Sequence, residues 1–151
     1  MCDEPVSSLD VPSQVQVVEL LARLKRESGL CLLFVSHNLA VVRRLCERVL
    51  VLYLGRMMEQ AATDRLYTRP RHPYTRELLD AVPLPDPAVQ PARLGAVRAG
   101  EAPSPLDPPS GCVYRTRCPH ALPVCTAQRP AWEEAAPGEW VACHRWREIS
   151  S

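Results

Sequence analysis

Two carboxylates stand side by side at Asp3-Glu4, Ser8-Leu9-Asp10 follows within a few residues, and Ser36-His37 comes after a long apolar run. Adjacent carboxylates suit a nucleoside-triphosphate site, where the strand-end carboxylate holds Mg²⁺ through its waters and the next polarises an attacking water. Taken singly, each has a plainer explanation. Charged pairs are mostly solvated surface, and a single histidine is mostly a core residue satisfied by its backbone neighbours. The second chemical set is Cys112, Cys118, Cys125 and Cys143, spaced C-x5-C-x6-C-x17-C in a proline-rich tail. Four soft thiolates can surround one metal centre, although this spacing is not the C-x2-C pair of a zinc ribbon.

The elements that position these residues follow from apolar periodicity. Pro12 stands where a first helical turn tolerates it, Val17, Leu20, Leu21 and Leu24 recur at helical spacing, and Gly29 supplies a stop. Leu30 to Val35 is a continuous apolar run, as in a strand buried on both faces of a parallel sheet. Leu39 to Cys46 predicts a short helix, Arg48 to Leu54 a strand, and Gly55-Arg56 a hairpin turn into Met57 to Ala61. Helix, buried strand, helix, strand is what βαβ crossovers produce, so residues 1–62 predict an α/β sheet with too few strands to be complete. Thr63 predicts a cap, with short helices around Asp64 to Tyr67 and Tyr74 to Val82 separated by Pro70 and Pro73. Proline dominates from Pro83 to Pro109, which predicts an extended arm.

Composition narrows the classes. The 151 residues carry 18 basic and 17 acidic side chains, a net charge of +1, so no basic field invites nucleic acid. No basic leader precedes an apolar stretch and no apolar run reaches membrane-spanning length, which predicts a cytoplasmic chain. Seven cysteines in a reducing compartment point to metal or catalysis for those that cluster. Cys2, Cys31 and Cys46 lie in apolar or helical contexts and are expected to be small buried hydrophobes. The Arg43-Arg44 pair, Arg69 and Arg71 are expected on solvated faces or against a membrane partner, and Trp132, Trp140 and Trp146 are expected to pack around the metal centre.

In order, Asp3-Glu4-Pro5, Ser8-Leu9-Asp10 and Ser36-His37 resemble the Walker B strand with its catalytic Glu, the D-loop and the switch His of ABC-transporter ATPases. The resemblance implies that Asp3 coordinates Mg²⁺ of Mg-ATP, Glu4 acts on the hydrolytic water, and His37 contacts the γ-phosphate and links it to Glu4. It also implies that Ser8 and Asp10 work across a head-to-tail dimer interface. A phosphate-binding loop needs Gly-Lys, yet the only lysine is Lys25 inside a helix, and no Gly-Gly pair supplies a signature loop. The expected fold is therefore a partial P-loop NTPase domain of the ABC type lacking its N-terminal half. Met1 is expected to be either an internal methionine of a longer reading frame or a start that yields a defective product.

A narrower resemblance covers residues 72–144: His72-Pro73-Tyr74-Thr75-Arg76, Gly100-Glu101 with Pro103-Ser104-Pro105, Gly111-Cys112, Arg117-Cys118-Pro119, Cys125, Pro130 and Val141-Ala142-Cys143-His144. These are similar to the C-terminal extension of the oligopeptide/dipeptide importer ATPases, departing from it at Ala102 and Trp140. The expected segments are 1–62 from the nucleotide-binding domain, a helical and Pro-rich arm at 63–111, and a Cys-rich extension at 112–151. The resemblance favours a [4Fe–4S] cluster on Cys112, Cys118, Cys125 and Cys143; zinc on the same thiols, with His120 or His144 as a substitute, and free cysteines are the alternatives.

The implied function is that of an ATP-hydrolysing subunit, in fragment, of an oligopeptide or dipeptide importer. Its partners would be a second ATPase subunit in a homo- or heterodimer, two membrane permease subunits and, indirectly, an extracytoplasmic peptide-binding protein, with no nucleic acid. The chain would lie peripherally on the inner face of the cell membrane. The competing expectation is a truncated, catalytically inactive chain serving only as a metal-binding or interaction module.

Overall fold

The computed structural model describes residues 1–82 and 103–149. They form two compact units, residues 1–47 and residues 48 onward, and together make a mixed helix and sheet structure. The expected arm at 83–109, with Gly100, Glu101 and Ala102, lies for the most part outside the described residues.

In the first unit, β1 (Cys2–Asp3) pairs in parallel with β2 (Phe34–Val35), Asp3 opposite Val35. Helix α1 (Val11–Ser28) connects them, with Pro in its first turn and Gly29 at its C-cap at φ 61°. The predicted apolar face is rotated in the structure. Val18 is buried with Val6, Val41 and Leu45, Val17 and Leu21 flank them, and Leu20 and Leu24 stay exposed. The cause is α2 (Leu39–Leu45), which presses its own buried Val41, Val42 and Leu45 inward and sets which side of α1 is covered. The expected doubly buried strand at 30–35 is also corrected: only Phe34–Val35 is in a ladder, and Leu30, Leu33 and Val35 are exposed.

The second unit is built on a four-stranded antiparallel sheet, ordered β3 (Arg48–Tyr53), β4 (Arg56–Ala62), β6 (Glu139–Val141), β5 (Glu133–Ala136). The hairpin turns at Leu54-Gly55, one residue earlier than expected, because Tyr53 pairs with Arg56 and both turn residues take positive φ, 47° and 69°. Two positive-φ residues match the strand twist, and leucine pays strain to supply one of them. Helix α3 (Thr63–Thr68) follows with Ala62 rather than Thr63 at its cap, then α4 (Pro73–Asp80). In the tail, α5 (Pro123–Ala127) and α6 (Trp146–Ile149) flank β5 and β6. Tail strand β6 pairs with β4 through Glu59 opposite Val141 and Gln60 opposite Trp140. The packing thus joins the end of the chain to the hairpin at 48–62.

Candidate functional site

Strand β1 ends at Asp3, whose side chain is exposed, and the next residue turns sharply: Glu4 is at φ 43° while its N–H still donates to Val35 O at 2.9 Å. A non-glycine residue in that region costs of order 1–3 kcal/mol and persists where its surroundings over-determine it. Here the turn aims the carboxylate across the sheet. Glu4 Oε1 accepts the His37 backbone N–H at 3.0 Å and lies 2.8 Å from His37 Nδ1. The other oxygen, Oε2, is shut from solvent without any hydrogen-bond partner, whereas the His37 ring is 80% exposed. An unpaired buried carboxylate oxygen is costly, about 1–3 kcal/mol or more, and its natural partner is a donor that the site takes up.

The residues after Glu4 are arranged to hold that turn. Ser7, which the sequence did not single out, donates from Oγ to Glu4 O at 3.0 Å. Val6 anchors the turn in the core, while Ser8 and Asp10 stand exposed on the segment entering α1. Asp10 occupies the N-cap of that helix, its carboxyl held below the usual range chiefly by the Ser13 hydroxyl. Ser36 Oγ accepts from Asn38 N at 3.1 Å and Asn38 Oδ1 caps α2 by accepting from Val41 N, which fixes the peptide that carries His37. Lys25 is already engaged, with Nζ 2.9 Å from Glu47 and 3.1 Å from Leu45 O.

In the tail, Gly111 at φ 65° lets the chain run against α5: a Cβ there would stand 2.3 Å from Cys125 O, and Cys112 N donates to that same carbonyl at 2.8 Å. Cys112 and Cys125 are buried, Cys118 and Cys143 half-buried. Burial first, and the neighbouring thiols after it, push the Cys112, Cys118 and Cys143 thiols up, Cys143 to about 11. Backbone N–H groups work in the opposite sense, with Arg145 N donating to Cys143 Sγ at 3.4 Å, Tyr114 and Arg115 directed at Cys112 and His120 at Cys118. Among the described residues no three His, Cys, Asp or Glu side chains stand so as to share a single ion. His144 Nε2 lies 3.0 Å from Gln128 O. By contrast Cys31 is exposed and Cys2 and Cys46 are only half-covered, so the expected burial of these three is corrected.

Trp132 and Trp140 stack on each other at 6.2 Å, while Trp146 donates to Glu133 and takes the Arg71 and Arg147 guanidinium groups over its ring. Arg71, expected on a solvated face, is half-buried and shares Glu139 with Arg65. Sequence reasoning also missed Glu59: a carboxylate in a strand of apolar residues, only 2% exposed, it accepts Arg71 N at 2.7 Å and His72 N at 2.8 Å.

Residues 58–125 match the family model described as oligopeptide/dipeptide transporter, C-terminal region. The whole chain is 50% identical to a Bacillus subtilis (strain 168) protein provisionally named oligopeptide transport ATP-binding protein YkfD, covering 46% of it. Over 133 residues it is 54% identical to the oligopeptide transport ATP-binding protein OppF of Escherichia coli (strain K12) and 53% identical to that of Salmonella typhimurium (strain LT2), covering 88% of this chain and 40% of each relative. Along its length the chain is thus similar to part of the ATP-binding proteins named for oligopeptide and peptide import. It spans about half the length of the family members it matches. The family match takes in Glu59, His72, Glu77 and three of the four tail cysteines. No helix among the described residues is long and apolar enough to cross a membrane.

Proposed function

We propose that this chain supplies the water-activating half of a peptide-import ATPase, together with a cysteine-ligated metal knot. The observation that carries the first part is the pairing of Glu4 with His37: one carboxylate oxygen accepts the His37 amide and lies against the His37 ring, which is itself exposed. A carboxylate oriented in this way accepts a proton from an attacking water, and the exposed His37 ring is placed to report the phosphate to it. Asp3, at the exposed end of β1, fits the carboxylate that holds Mg²⁺ through its waters, the ion supplying charge neutralisation on the nucleotide. The phosphate cradle would come from outside these 151 residues, since the one lysine is tied to Glu47. Ser8 and Asp10, exposed after the Glu4 turn, are free to meet a second ATPase subunit, homologous or identical. Two permease subunits and a peptide-binding protein complete the importer, and place the chain on the cytoplasmic face of the membrane.

We read the tail thiols as the ligands of a [4Fe–4S] centre, in which each thiolate would take its own iron. Amide N–H groups directed at three of the sulfurs stabilise thiolates that burial alone would keep protonated. Cys112, Cys118, Cys125 and Cys143 would hold the group, whose contribution is structural, closing a tail with little apolar periodicity.

Joining the chain to the remaining half of a relative such as OppF tests the catalytic part. ATP should then bind and be hydrolysed, and Glu4→Gln should keep binding while cutting turnover by about two orders of magnitude or more. Hydrolysis by the isolated chain that depends on Glu4, or full turnover in the joined Glu4→Gln protein, would overturn it. Anaerobic preparations of the chain should be brown with roughly four irons; about one zinc in colourless protein would overturn the cluster.

A further inference from the structure

The thiols at Cys112 and Cys118 lie at the ends of one short loop, and a carboxylate outside the tail grips that loop twice. Glu77 is on α4, and its two oxygens accept from different residues of the loop: Oε2 from the Tyr114 hydroxyl, Oε1 from the Arg117 guanidinium. Both Glu77 and Arg117 side chains are 18% exposed, and Tyr114 is almost wholly buried. Around these anchors the loop is wound tightly, with Arg115 N donating to Cys112 O at 3.0 Å and Cys118 N to Tyr114 O at 3.0 Å.

Helix α4 is itself fixed from below. His72 caps it by accepting Tyr74 N at 3.0 Å, and Glu59 of β4 holds the amides of Arg71 and His72. Glu59 and His72 thus fix the start of α4, and Glu77, further along that helix, holds Tyr114 and Arg117 of the thiol loop. We infer that Glu77 is a positioning residue for the Cys112 and Cys118 sulfurs, presetting their loop through Tyr114 and Arg117 before any metal arrives. The inference rests on the reading of the four thiols as a metal centre and adds a residue, outside the cysteine tail, that sets its geometry.

The test uses the full chain, prepared anaerobically with its iron, in native, Glu77→Gln, Tyr114→Phe and Asp80→Asn forms. Glutamine keeps the shape but faces Arg117 with an amide. Release of iron to a ferrous chelator should be roughly tenfold faster in Glu77→Gln, and amide hydrogen exchange over 112–118 faster by a similar factor. The visible absorption of the centre should shift as well, which general destabilisation would not cause. Asp80→Asn, exposed on the same helix, should match the native chain. If Glu77→Gln does not fold, Tyr114→Phe removes one donor, keeps the ring and should show smaller changes in the same direction. Unchanged iron release and unchanged exchange over 112–118 in an iron-bearing Glu77→Gln chain, or in Tyr114→Phe where that is the folded variant, would overturn the inference and leave the metal reading intact. A native chain that takes up no iron, but whose loop exchanges faster on Glu77→Gln, would remove the metal reading and keep the clasp.

Discussion

Residues 1–47 and residues 48–149 solve the problem of holding side chains in place by different means. The first unit has two strands of two residues each, a small core around Val6, Val18, Val41 and Leu45, and apolar residues such as Leu33 left in solvent. The second has a four-stranded sheet, a cluster of Tyr53, Tyr74 and Tyr114 rings with His72, a buried carboxylate at Glu59 held by backbone amides and a half-buried one at Glu139 tied to arginines. The residues proposed for nucleotide chemistry thus sit where packing is thinnest, and the proposed metal ligands where the polar network is densest. A carboxylate and a histidine on a strained turn can be aligned by a few hydrogen bonds. Four thiols in a tail of little periodicity need a scaffold assembled from distant segments.

Perturbations of the two units sharpen this difference. The largest expected effect is Gly111→Ala, which would drive a Cβ to 2.3 Å from Cys125 O and 2.8 Å from Thr126 O at a positive φ. Backbone carbonyls cannot move aside, so a loss of about 4 kcal/mol or more is expected in urea unfolding of the second unit. Loss below about 1 kcal/mol would mean that the tail does not dock in this way.

Acid should come next. His72 is 1% exposed, and burial lowers its pKa to about 4, below the usual 6.5. Below 6.5 the unfolded chain binds a proton that the folded chain refuses, so the stability is fully present above 6.5 and lost as pH falls towards 4, about 3 kcal/mol in all. Glu59 acts in the opposite sense: burial raises its pKa, so its contribution is present at low pH and lost as pH rises. The difference between the native chain and His72→Asn, which keeps a capping acceptor, isolates the histidine. An identical stability profile of the two between pH 7 and 4 would refute it. A smaller effect belongs to the first unit, where Val18→Ala removes two carbons from the core and should cost about 1.6 kcal/mol by transfer alone. A cost above about 3 kcal/mol would show a core better packed than this account allows.

The sequence made the local features readable because their causes are local. Pro12 and Gly29 bound α1, Gly55 marks the hairpin, and the order of Asp3-Glu4 and His37 anticipated a pair that the parallel register of β1 and β2 brings to hydrogen-bond distance. What stayed hidden depends on partners far along the chain. Leu20 and Leu24 fit the helical period as well as Val18 does, and only α2 decides which are covered. The pairing of β6 with β4 joins residues about eighty positions apart in a tail whose prolines and cysteines mask any alternation. Glu59 carried a signal, a carboxylate within an apolar strand, whereas nothing in the spacing tied Glu77 to Tyr114 and Arg117.

The coupling of Glu4 to His37 is the claim on which the proposed function stands, and a double-mutant cycle in the chain joined to the unmatched part of OppF measures it directly. Steady-state ATP turnover would be compared for the unmutated protein, Glu4→Gln, His37→Ala and the double variant. If the ring and carboxylate act as one unit through the 2.8 Å contact, each single change should cost about 10²- to 10⁴-fold and the double variant should be scarcely slower than the worse single one. Losses that multiply, or a Glu4→Gln protein that turns over near the unmutated rate, would contradict it.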